Sequence, residues 1–164
     1  TATINKWQCL LSDDCYKEVI VNSLRFLSEK KKVTVYAFVI MPNHIHLIWK
    51  LLEPNGKETP KGSFLKHTAH VFKGMIQANG PSLLASFQVN AINKKYEFWQ
   101  RDPLAIMLYS REVMFQKLDY IHNNPLGSKW SLVKDPVAYK YSSAKYYLQD
   151  VKNFDFLEDI LKEF

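Results

Sequence analysis

The sequence predicts an α+β protein: a ferredoxin-like β-α-β-β-α-β antiparallel sheet, followed by an added helix and short C-terminal helices. Three observations carry that prediction. Residues 13–32 and 63–80 repeat apolar side chains at helical spacing, residues 33–52 read as two strands around a tight turn, and a third helical stretch fills 110–125. The 164 residues are 47% hydrophobic and 23% charged, which suits one globular domain over residues 1–164.

The elements follow in order. "TATIN" alternates and reads as the end of a first strand. Residues 13–32 form a helix: Ser12 or Asp13 caps it, acids fill its first turn and lysines its last. "VTVYAFVI" is rich in β-branched and aromatic residues, "MPN" breaks it as a turn, and "HIHLIWKLL" returns. Residues 53–62 form a loop by their Pro and Gly content, and 63–80 form a helix capped by Ser63. Residues 81–95 read ambiguously, with "LLASFQVNAINK" able to continue that helix. Residues 96–108 read as extended with a break at Pro103, and 110–125 as a helix capped by Ser110 and stopped before Pro125. After a loop over 126–140, "YSSAKYYLQ" and "FDFLEDILKEF" read as short helices.

Composition narrows the partners. The net charge of +6 tilts toward an anionic partner such as nucleic acid. Cys9 and Cys15 form no CxxC motif and read as free thiols in a reducing, cytoplasmic setting. Uncharged runs are too short to span a bilayer, and no stretch reads as a cleavable leader.

His44 and His46 carry the first chemical signal. Residues i and i+2 of a strand share a face, so the two imidazoles project together and can bind one divalent ion. Alone, such a pair more often means two hydrogen-bonded histidines in a half-buried strand. An HxHxD zinc pattern fails at Ile48, so the open option is a site completed by a hard ligand from elsewhere. On the wheel of the third helix, Met114, Leu118 and Ile121 form the apolar stripe, about 100–160° from Tyr120. Tyr120 therefore sits off that stripe with Asn124 one turn on, free to meet the histidines or to remain a boundary tyrosine beside a helix end.

"YAFVIMPNHIHLI", "FWQR", "YIHNNP" and "YSSAKYY" occur in that order along nearly the whole chain. With these motifs the sequence resembles the His-hydrophobic-His single-strand DNA tyrosine transposases, in their REP-associated branch. The resemblance implies an enzyme that cleaves and rejoins single-stranded or hairpin DNA through a 5′-phosphotyrosine. It implies Tyr120 as the nucleophile and His44, His46 and Asn124 as ligands of magnesium or manganese. Lys61, Lys66, Lys73, Trp99, Arg101, Lys117 and His122 are candidates for DNA contact. Trp99 suits the core equally well, His122 points about 160° from Tyr120 on the wheel, and any single lysine suits a solvated face. The family implies a bacterial cytoplasmic setting near the nucleoid and leaves monomer and homodimer both open. One departure stands out: "LGSKW" follows "YIHNNP" where the family usually carries a small-residue, Gly-containing turn. The rival readings are a non-catalytic nucleic-acid-binding module on the same fold and a small metal hydrolase acting on nucleotides.

Overall fold

A computed structural model describes residues 1–101 and 103–163. Its centre is the predicted hairpin, in which β2 (Val33–Met41) and β3 (His44–Leu51) pair antiparallel across Pro42 and Asn43. Pro42 falls in the turn, where its missing N–H breaks no ladder. β1 (Ala2–Thr3) pairs antiparallel with the other edge of β3, setting Thr3 opposite His44. Beyond β1, the Asn5 N–H donates to Phe98 O at 2.7 Å and the Gln100 N–H to Thr3 O at 2.7 Å. The segments thus lie side by side in chain order fourth, first, third, second, the fourth being only a bridge at Trp99. The strand expected over 96–108 ends there. Pro103 has no N–H for a ladder, and residues 103–109 run on without regular structure.

α1 (Asp14–Glu29) and α2 (Pro60–Asn79) cover one face of the sheet, and α3 (Arg111–Asn123) covers the other. Caps set their starts. Asp13 Oδ1 accepts from the Cys15 N–H at 3.0 Å, and Ser110 Oγ accepts from the Val113 N–H at 3.2 Å. α2 begins earlier than expected, because Thr59 caps it through the Gly62 N–H and Pro60 occupies its first position.

Residues 81–95 do not continue α2. Gly80 and Pro81 break the helix, a 3-10 stretch follows over Pro81–Phe87, and β4 (Gln88–Ala91) pairs with β5 (Lys94–Tyr96). The helix expected in "FDFLEDILKEF" is also absent apart from a 3-10 turn at Ile160–Glu163; Phe164 lies outside the described residues. Phe154 and Phe156 instead pack on Phe38, with ring centroids 4.8 and 6.0 Å away. α4 (Ala144–Gln149) is the expected short helix, and the "YSS" before it seals the outer edge of β2: Ser143 Oγ accepts from the Phe38 N–H at 3.0 Å.

Strand alternation sorts β3 between the two layers. Ile45 and Leu47 pack toward α1 and α2, while Ile48 packs with Met114, Leu118 and Ile121 of α3. His44 and His46 share the face of Ile48. No helix among the described residues is long and apolar enough to cross a membrane.

Candidate active site

The turn after β2 orients the first histidine. Asn43 is buried, and its Nδ2 donates to the Trp7 carbonyl at 3.2 Å. That leaves Asn43 Oδ1 facing His44 Nδ1 at 2.7 Å. A carbonyl oxygen only accepts, so Nδ1 carries the proton and His44 Nε2 keeps its lone pair. His46 lies beside it, ring centroids 4.8 Å apart and nearly perpendicular. Its Nδ1 is 2.7 Å from Thr1 Oγ1, while its Nε2 is buried and has no hydrogen-bond partner among the described residues.

Burial sets the charge of both rings. It lowers the His44 pKa to about 4, opposed by the Asn124 side chain, which can accept a hydrogen bond from the charged ring, and with further lowering by Lys129. It lowers His46 to about 3, helped by His44 and then by Lys117. Both imidazoles are therefore neutral at pH 7 and hold lone pairs for a cation.

Tyr120 comes from α3. Met114, Leu118 and Ile121 anchor that helix in the core, which turns Tyr120 outward at 54% exposure. Its ring meets the His46 ring edge-on, centroids 5.1 Å apart at 77°. Asn124 caps the C-terminus of α3 and brings its amide to His44. The four side chains line one open cavity of about 610 Å³, with Trp7 and Trp130 at its wall. A divalent ion fits this donor set: one orphaned buried nitrogen, one free imidazole lone pair and a nearby amide oxygen. No three His, Cys, Asp or Glu side chains gather among the described residues; Asn124 is the oxygen donor nearest His44 in its effect, and Gln116, Asp119 and Asn123 line the same cavity.

No family model matches the sequence, and no curated protein matches it. The three-dimensional arrangement does find a counterpart. A solved structure of a REP-associated tyrosine transposase bound to a REP hairpin superimposes with a TM-score of 0.59 at 19% identity, over 97% of this chain and 83% of that one. The two chains share a fold.

The remaining expected contacts divide. Lys117 stands close enough to His46 to act on its charge, and Lys61 close enough to act on Thr1. Two residues are corrected. Trp99 is 6% exposed and its Nε1 donates to Thr68 Oγ1 at 2.9 Å, so it is a core residue that bridges the sheet to α2. His122 is 3% exposed, its Nε2 lies 2.8 Å from Ser143 Oγ, and it ties α3 to the edge of β2. Neither side chain reaches DNA from there. Lys66 and Lys73 also leave the site: they sit on α2, behind the sheet, Lys66 paired with Glu58 and Lys73 over the Tyr96 ring. Arg101 is exposed and pairs with Glu97 at 3.2 Å. Sequence reasoning missed Asn43, Trp7, Lys129 and Trp130. An Asn directly before HxH was a usable signal for the first. The other three come from turns that carry no periodicity.

Proposed function

We propose that this protein cleaves and rejoins single-stranded DNA at the foot of a hairpin, with Tyr120 as the nucleophile. The observation that carries the reading is the contact of the exposed Tyr120 ring with His46, beside an unpartnered imidazole nitrogen. His44, His46 and Asn124 are the residues that would hold magnesium or manganese, whose contribution when bound is to polarise the scissile phosphate and offset its developing charge.

Tyr120 Oη attacks phosphorus, the bond to the 3′-oxygen breaks, and that oxygen takes up a proton. The 5′-phosphate stays on Tyr120 and the phenol proton is lost to solvent. Because the phosphoester is kept, a 3′-hydroxyl can attack the adduct and rejoin a strand. Asn43 holds His44 in the tautomer that leaves Nε2 free. Lys117, close enough to His46 to act on its charge, suits a flanking phosphate. Cys9 and Cys15 are exposed free thiols, in keeping with the reducing bacterial cytoplasm, where such DNA is reached at the nucleoid. The likeness to a fold seen with a REP hairpin supports a hairpin substrate.

The test is an adduct assay. Wild-type protein, hairpin DNA with single-stranded flanks and magnesium should give a covalent species on a denaturing gel. Chelation or Tyr120→Phe should remove it. An adduct that persists in Tyr120→Phe refutes the assignment. DNA binding with no adduct, indifferent to chelation and to His44→Ala, favours the non-catalytic binding module.

A further inference from the structure

The wall of the cavity holds a second cluster that the chemistry above does not use. We propose that Trp7, Lys129 and Trp130 form a stacking subsite for an unpaired base of single-stranded DNA, next to the nucleotide that meets Tyr120. The inference rests on the reading of this cavity as a DNA site and assigns it a specific base-binding element.

Three observations converge. First, Lys129 Nζ lies over two indoles at once, 5.7 Å from the Trp7 centroid and 5.3 Å from the Trp130 centroid. Both π-faces therefore turn toward one cation, and both residues line the cavity of Tyr120 and His46. Second, Trp7 is 58% exposed although nothing in the core needs it there. It sits in a strained turn: Lys6 and Trp7 have φ of 54° and 58°, a left-handed conformation that costs side-chain-bearing residues. Neighbouring contacts hold the strain in place, since Asn43 Nδ2 grips the Trp7 carbonyl at 3.2 Å and the Ile4 N–H donates to Asn43 O at 2.8 Å. Backbone strain that the surroundings enforce is found where a side chain must be presented. Third, Trp130 stands 6.1 Å from the His44 ring, so the platform adjoins the proposed reaction centre.

The occupant follows from the chemistry. A flat π-face with an adjacent cation suits a base and its phosphate: the base takes the indole and the ammonium moves to the phosphate. Lys129 stands close enough to His44, and Lys117 close enough to His46, to act on their charge, so cations adjoin a cavity whose lining carries one carboxylate, Asp119. A base inside a duplex is already stacked on its neighbours, so the subsite selects unpaired strand. Lys129 and Trp130 belong to the "LGSKW" segment that follows α3.

The experiment uses a short thymidine oligonucleotide carrying one 2-aminopurine, in metal-free buffer, with the full chain. Binding by wild type should quench the probe, and the duplex form, already quenched by its own stacking, should show no further change on adding protein. Trp7→Ala and Trp130→Ala should each weaken binding roughly fivefold or more and lose quenching. Trp130→Phe should retain most of both, and Lys129→Ala should reduce the salt slope by about one counterion. Wild-type affinity and quenching in Trp7→Ala overturns the proposal. Because Trp7 is exposed, that variant decides even if Trp130→Ala does not fold. Tighter binding of the matching RNA overturns the DNA assignment. The adduct assay separates the two readings. Adduct formation with unchanged binding by both Trp→Ala variants sinks only the subsite. No adduct, with binding lost in those variants, sinks only the strand-transfer chemistry.

Discussion

The two faces of the sheet are built from opposite materials on the same strands. Toward α1 and α2, Phe38, Phe64, Phe72, Phe87 and Phe98 pack together, and the buried polar Trp99 Nε1 and Thr68 Oγ1 satisfy one another. Toward α3, β3 presents His44 and His46, Tyr120 stands half in solvent, and His46 Nε2 has no partner. Alternation along β3 lets one backbone serve both: Ile45 and Leu47 hold the fold together while His44 and His46 form the site. The larger aromatic core lies behind the sheet, and the cluster of groups with chemistry to offer lies in front of it.

The largest expected contrast sets one residue from each face against the other. Phe72→Ala, at a fully buried position, should cost about 3–5 kcal/mol in urea unfolding. Tyr120→Phe should change stability by less than about 0.5 kcal/mol yet abolish the covalent adduct, since it removes an exposed hydroxyl. A large stability loss in Tyr120→Phe would erase the division between the faces. Next in size is Asn43→Ala, which frees the His44 ring to change tautomer. Manganese affinity by calorimetry should fall roughly 10–100-fold, the usual cost of losing an outer partner of a ligating histidine.

A smaller contrast concerns pH. Burial lowers the His122 pKa to about 4, partly opposed by Asp119. The unfolded chain therefore takes up a proton near pH 6.5 that the folded chain refuses until about pH 4. The stability that His122 contributes should be level above pH 6.5 and fall by about 3 kcal/mol as pH drops through that window, and His44 and His46, whose pKa values are lowered in the same direction, should steepen the decline. Thermal melts of wild type and His122→Gln should diverge there, the variant showing the shallower decline.

The smallest effects sharpen the boundary. His46→Leu should be neutral or stabilising by up to about 1 kcal/mol, because it removes an unsatisfied buried nitrogen, while metal binding is lost. Lys66→Ala and Lys73→Ala, behind the sheet, should leave DNA affinity within about twofold, whereas Lys117→Ala should lower the salt slope by about one.

Much of the front face was legible in the sequence because it is written in strong periodicities. Period two put His44 and His46 together, and the helical wheel separated Tyr120 from Met114, Leu118 and Ile121. What stayed hidden depends on tertiary pairing. Trp99 reads alike as a core or a surface residue until Thr68 is seen opposite its Nε1. His122 lies on the buried side of α3, but only Ser143, brought over by the edge of β2, explains why a histidine is tolerated there. The fourth strand shrinks to a bridge because residues 88–96 spend their β-propensity on a local hairpin. Trp7 and Trp130 belong to turns, where spacing carries no information about neighbours.

The contrast between the faces is tested most directly by manganese titration followed by side-chain NMR of the intact chain. Paramagnetic broadening at substoichiometric manganese should reach His44, His46, Asn124 and Tyr120 and spare His67 and His70 of α2, which serve as internal controls. Broadening of the α2 histidines first, or none at His44 and His46, would contradict a metal centre on the α3 face.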